Sequence, residues 1–121
     1  MNLNYQQSTG LLTDDDGKVV AHGWAGRQEG KNNPDMEDVH CTGPLPCGTY
    51  SVGPWGGHPP LGPDSTHLTQ TSGESYGRDG FYIHGPGTVN YGQESKGCIV
   101  IPRAERLVVM GLAPDQITVS A

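Results

Sequence analysis

Apolar and polar residues alternate along most of this chain in short runs of period two, the spacing that turns one face of a β-strand inward. Leu3 to Gln7, Leu11 to Thr13 and Lys18 to Trp24 read as an opening meander, with Asp14-Asp15-Asp16-Gly17 as the turn between the last two. Gly48 to Val52 and Thr66 to Thr71 are further strands, and the Pro/Gly-rich stretch from Gly53 to Pro63 between them is a loop long enough to line a cleft. Phe81-Tyr82-Ile83 is a compact strand ending at His84-Gly85. Ile99-Val100-Ile101 is a short β-branched run of the buried kind, and Gln116 to Ser120, with Ile117 and Val119 alternating, closes the chain. A helical period occurs once, over Arg103 to Met110, opened by Pro102 and stopped by Gly111, with Leu107, Val108 and Met110 as its apolar positions. The pattern predicts an all-β fold with one short helix packed on the sheet.

Composition narrows the picture. A chain of 121 residues suits one compact domain over residues 1–121, which can bury about two-thirds of its unfolded surface. The 19 Gly and 10 Pro lie between the apolar runs, so they read as turns and not as low complexity. A formal charge of −6, with only 7 Lys plus Arg, leaves no basic stripe to neutralise phosphates, which argues against nucleic acid and against an anionic membrane surface. No apolar run could span a bilayer. No Lys or Arg precedes Lys18 and no apolar segment follows the start, so no secretory signal is expected.

The chemistry concentrates in the run HGPGTVNYGQESKGCIVI, which holds a candidate base, His84, and a candidate nucleophile, Cys98. A thiol is mostly protonated near neutral pH and becomes a strong nucleophile when an imidazole takes its proton or a positive field holds the thiolate. Two strand ends would present the two groups. Gly97 keeps a side chain away from a substrate carbonyl, and backbone N–H groups at Gly97 and Cys98 are placed to face a developing oxyanion. Gly85 and Ser95 flank the pair as supporting positions, Ser95 either bonding near His84 or holding its turn. Arg78 is a candidate two-pronged contact for a substrate carboxylate, against the plainer reading of an ion pair with Asp79 or Glu74. Tyr82 and Tyr91 are candidate cleft walls.

Two further groups matter less. Cys41 and Cys47 flank a short loop, and a bridge between them would stabilise it by about 2 kcal/mol in an oxidising space, with two reduced structural thiols as the equal alternative. His22, His40, His58 and His67 lack the His-Glu-x-x-His and Cys-x-x-Cys spacings of zinc sites, so no metal or other cofactor is expected.

On these residues the chain resembles the YkuD-type L,D-transpeptidases, whose pattern is a His-Gly followed by Ser-His-Gly-Cys. His84-Gly85 and Ser95-Lys96-Gly97-Cys98 match in order and spacing, with the His before the Cys, unlike papain-like and NlpC-type peptidases. Gly23-Trp24-Ala25-Gly26, Asn32-Asn33-Pro34, Gly43-Pro44-Leu45-Pro46 with Gly48-Thr49-Tyr50, and Gly77-Arg78-Asp79-Gly80-Phe81 resemble blocks of the branch of type VI secretion effectors. Lys96 and Val100 depart from the wider pattern, which often has His and Arg there. The resemblance implies an L,D-transpeptidase-like β-sandwich or barrel with its short helix after the Cys98 strand. It also implies a cysteine enzyme acting on peptidoglycan tetrapeptide stems as an L,D-carboxypeptidase, a D-amino-acid exchanger or a 3-3 cross-linker. A secretion carrier, action in the periplasm of a target bacterium and a cognate immunity protein follow from the same resemblance. A stem-peptide binding module without turnover and a metal-dependent amidase are the competing classes.

Overall fold

The computed structural model describes residues 1–57, 64–86 and 96–121. Nine strands of the described residues form one sheet: β1 (Asn2–Gln6), β2 (Leu11–Thr13), β3 (Val19–His22), β4 (Trp24–Ala25), β5 (Gly48–Val52), β6 (Thr66–Ser72), β7 (Phe81–His84), β8 (Ile99–Val100) and β9 (Gln116–Ser120). Among the described residues one helix, α1 (Arg103–Leu112), follows β8. The expected strands are present within a residue or two of their ends. The Asp turn also forms as expected, with the Asp14 carboxylate accepting from the N–H groups of Asp16 and Lys18, both at 2.9 Å.

The spatial order is β3-β2-β1-β9-β5-β6-β7-β8-β4. Its two edge strands, β3 and β4, are consecutive in sequence and separated only by Gly23, so the run read as one strand from Lys18 to Trp24 is two. That single residue carries the chain from one edge of the sheet to the other and brings the sheet almost to a closed barrel, which leaves little edge unpaired. The seam is tight enough to require glycine: a Cβ on Gly23 would lie 2.1 Å from the Val100 carbonyl oxygen, and one on Gly10 would lie 2.0 Å from the Gly23 carbonyl oxygen.

The core fills the inside of this curved sheet. Leu3 and Tyr5 of β1, Tyr50 of β5, Leu68 of β6, Phe81 and Ile83 of β7, Ile99 of β8 and Ile117 and Val119 of β9 meet there. They are the alternate residues of their strands, as a period of two demands. The chain termini close the arrangement, because β1 pairs in parallel with β9 from Asn2–Gln116 to Gln6–Ser120.

The helix differs from its expected orientation. Arg106 and Val109 are its buried residues, while Leu107 and Val108 are exposed. Gly111 lies inside the helix, which is capped two residues later by Ala113 in a left-handed conformation. Two single 3₁₀ turns, Gln28–Gly30 and Pro34–Met36, organise the segment between β4 and β5.

Candidate active site

Cys98 immediately precedes β8, after a backbone turn made at Gly97 with φ +128°, a region that disfavours any residue with a Cβ. A Cβ on Gly97 would also come within 2.7 Å of Arg78 Nη2 and 2.8 Å of Phe81 Cε1. The bare position was expected to leave room for a substrate. Packing supplies a second reason, since the Arg78 and Phe81 side chains fill that space.

The Cys98 sulfur lies 3.8 Å from the carbonyl oxygen of Gly80, the residue just before β7, and Cys98 is 9% exposed. Burial pushes its thiol up from the ordinary value, against the opposing pull of backbone N–H groups at Tyr82 and Cys98 and of the Arg78 guanidinium. Burial thus favours the neutral thiol, the form from which a base must take the proton before the sulfur can attack. It opens onto a cavity of about 280 Å³ whose wall includes His40, Cys41, Asp79 and Lys96, so it is not sealed in hydrocarbon. A neighbouring hollow of about 490 Å³ reaches His67 and Gln70 and shares the Arg78–Phe81 wall.

His84 ends β7 and is buried. Alternation along the strand places it on the face of Tyr82, opposite the core residues Phe81 and Ile83. Its Nδ1 is 2.9 Å from the Gly85 carbonyl oxygen. A carbonyl can only accept, so Nδ1 carries the hydrogen in this contact. The Ile101 N–H in turn donates to the His84 carbonyl at 3.0 Å. β7 and β8 pair in parallel, Ile83 with Ile99 and His84 with Val100, which sets Cys98, the residue before β8, about level with Tyr82 and two residues short of His84 along the neighbouring strand.

Arg78 is placed differently from the substrate contact expected of it. Its Nη1 donates to the carbonyls of Glu37 and Pro44, and its Nη2 to those of Gly43 at 2.9 Å and Lys96 at 3.2 Å. Both terminal nitrogens are therefore spent on main-chain oxygens, and no two-pronged grip on a carboxylate remains. The guanidinium ties the loop before β5 to the segment that carries Cys98. Tyr82 is half-buried and packs its ring on His67, with centroids 4.8 Å apart.

The three cysteines are free thiols in this structure. Cys47 Sγ donates to Gln7 Oε1 at 3.5 Å, and Cys41 faces the Cys98 cavity instead of Cys47. Among the described residues no group of three or more His, Cys, Asp or Glu is placed to hold a metal ion. Ser95, Tyr91 and His58 lie outside the described residues.

Sequence reasoning missed Arg106, which lies beneath the His84–Gly85 turn with Nη1 donating to the Ile101 carbonyl at 2.8 Å. A signal existed: Arg106 falls three residues before Val109, so a helical wheel centred on that valine turns the arginine inward.

With this geometry in hand, the family model described as Tlde1 domain matches residues 19–113, most of the chain. No curated protein matches it.

Proposed function

Because the chain belongs to the Tlde1-domain family, type VI secretion effectors related to peptidoglycan-modifying L,D-transpeptidases, we propose that it is a cysteine enzyme acting on peptidoglycan tetrapeptide stems. In this reading Cys98 is the nucleophile and His84 the base. The observation that carries it is the Nδ1 hydrogen bond from His84 to the Gly85 carbonyl, which assigns proton transfer to Nε2, on the strand that pairs with the one Cys98 precedes.

The steps follow from ordinary acyl-transfer chemistry. His84 Nε2 takes the thiol proton while the sulfur attacks the carbonyl carbon of the bond between the third residue and D-Ala. The tetrahedral oxyanion is met by backbone N–H groups, and the collapsing intermediate expels D-Ala, whose amine receives the proton from the imidazolium. A thioester remains on Cys98. Water then gives a tripeptide, a free D-amino acid gives exchange, and a stem amine gives a 3-3 cross-link. The first two outcomes harm a growing wall, which suits a toxin delivered to the periplasm of a target cell and held in check by an immunity protein covering the cleft.

The test is incubation with purified muropeptides, following tetrapeptide, tripeptide and exchanged species by mass. Wild type should consume tetrapeptide, Cys98→Ala should not, and His84→Gln should be slower by at least about 100-fold. Equal products from wild type and Cys98→Ala would end the proposal.

A further inference from the structure

One buried cation has no part in the steps above. Arg106 is 5% exposed, with Nη1 donating to the Ile101 carbonyl at 2.8 Å and Nε to the Asp64 carbonyl at 3.0 Å. A Cβ on Gly85 would lie 2.1 Å from its Nη1, 2.8 Å from its Cζ and 3.0 Å from its Nη2. The guanidinium therefore rests on the Gly85 backbone, in the space where any other residue would begin its side chain. The carbonyl of that same glycine accepts the His84 Nδ1 hydrogen. Ile101, whose carbonyl Arg106 holds, donates its own N–H to the His84 carbonyl. Arg106 thus contacts the residue that follows the imidazole in the chain and the residue bonded to it across the ladder.

We infer that Arg106 is a positioning residue for His84: by packing on Gly85 and holding the Ile101 and Asp64 carbonyls, it fixes the acceptor that sets the imidazole's tautomer and aim. It acts through His84 and is assigned no contact with the reacting atoms. A guanidinium suits the task because its planar fork donates in two directions at once. A lysine would keep the charge but could not hold both carbonyls from one plane. The kinetic consequence rests on the acylation reading proposed above, whereas the tautomer consequence does not.

The experiment combines ¹⁵N imidazole NMR of the full chain with turnover of a stem tetrapeptide, for wild type, Arg106→Lys and Arg106→Gln. Wild type should show His84 as a single Nδ1–H tautomer, and the wild-type Arg106 Nε–H should exchange slowly with solvent. In folded variants the tautomers should mix, and kcat should fall about 10- to 100-fold with KM changed by less than about threefold. A fall as large in Arg106→Lys as in Arg106→Gln separates the fork from the charge. A wild-type Nε2–H tautomer, rapid exchange at Arg106 Nε–H, or a folded Arg106→Lys with the single tautomer and full kcat would each overturn the inference. Should both variants unfold, the two wild-type measurements still decide. Mixed tautomers in the variants with no turnover by wild type would instead sink the acylation reading and leave the positioning role standing. Unchanged tautomers beside Cys98-dependent turnover would sink the positioning role alone.

Discussion

Arg78 and Gly97 are complementary: the guanidinium stands within 2.7 Å of where a Cβ on Gly97 would be, and its Nη2 donates to the carbonyl of Lys96, the residue just before. The segment leading to Cys98 is thus held from one side by hydrogen bonds and left bare on the other to admit the holder.

Gly97→Ala should therefore be costly twice, through its φ of +128° and through overlap with Arg78 and Phe81. The expected loss is about 2–4 kcal/mol in a urea titration, together with a large fall in muropeptide turnover. A variant as stable and active as wild type would show that the turn tolerates a side chain.

Arg78 should behave as a structural clamp. Arg78→Ala leaves four main-chain carbonyls without their shared donor, and should destabilise by about 3 kcal/mol or more. Arg78→Lys should recover part of this, since an ammonium reaches fewer of the four. If Arg78→Ala kept full stability and changed only KM for stem peptides, the arginine would be a substrate contact after all.

Alkaline stability tests the buried thiols. Burial, helped by the Glu37 carboxylate, pushes the Cys47 thiol from 9.0 up to about 11, and burial moves Cys98 in the same direction. Across pH 9 to 11 the unfolded chain has lost protons that the folded chain still binds, so folding stability should fall as pH rises through that window and be fully present below it. Urea titrations in reductant should show this slope, and Cys47→Ala should flatten it. Identical slopes in both proteins would remove Cys47 from the explanation.

The seam of the barrel is testable at Gly23. A methyl there would press on the Val100 carbonyl at 2.1 Å, so Gly23→Ala should part β4 from β8 and cost about 2–4 kcal/mol. Hydrogen exchange should then quicken at Ala25 and Val100 while β5 and β6 stay protected. Uniform quickening across all strands would mean that the closure is not a local feature.

Local patterns carried much of this protein. Period-two runs placed the strands because alternate residues must face the core, and β2, β5 and β9 have the expected ends. The His84 and Cys98 candidates rest on a local signal, a base and a thiol beside glycines at two strand ends, a pattern that few structural roles require. What had no local period was not legible. Leu107 and Val108 looked like the helix's inner face by hydrophobicity, yet Arg106 is inside because three-dimensional packing offers it carbonyls at Ile101 and Asp64.

By itself, then, the order of residues determined which segments extend and where the helix lies, and it marked which side chains are candidates for chemistry, since these depend on neighbours within a few positions. Only the tertiary structure decided that β1 lies parallel to β9, that Gly23 joins the two edges of the sheet, and that Arg78 and Arg106 turn inward to hold the Cys98 and His84 segments. Those outcomes depend on donors, acceptors and free space supplied by residues far apart in the chain, which meet only once the sheet has curled around its core.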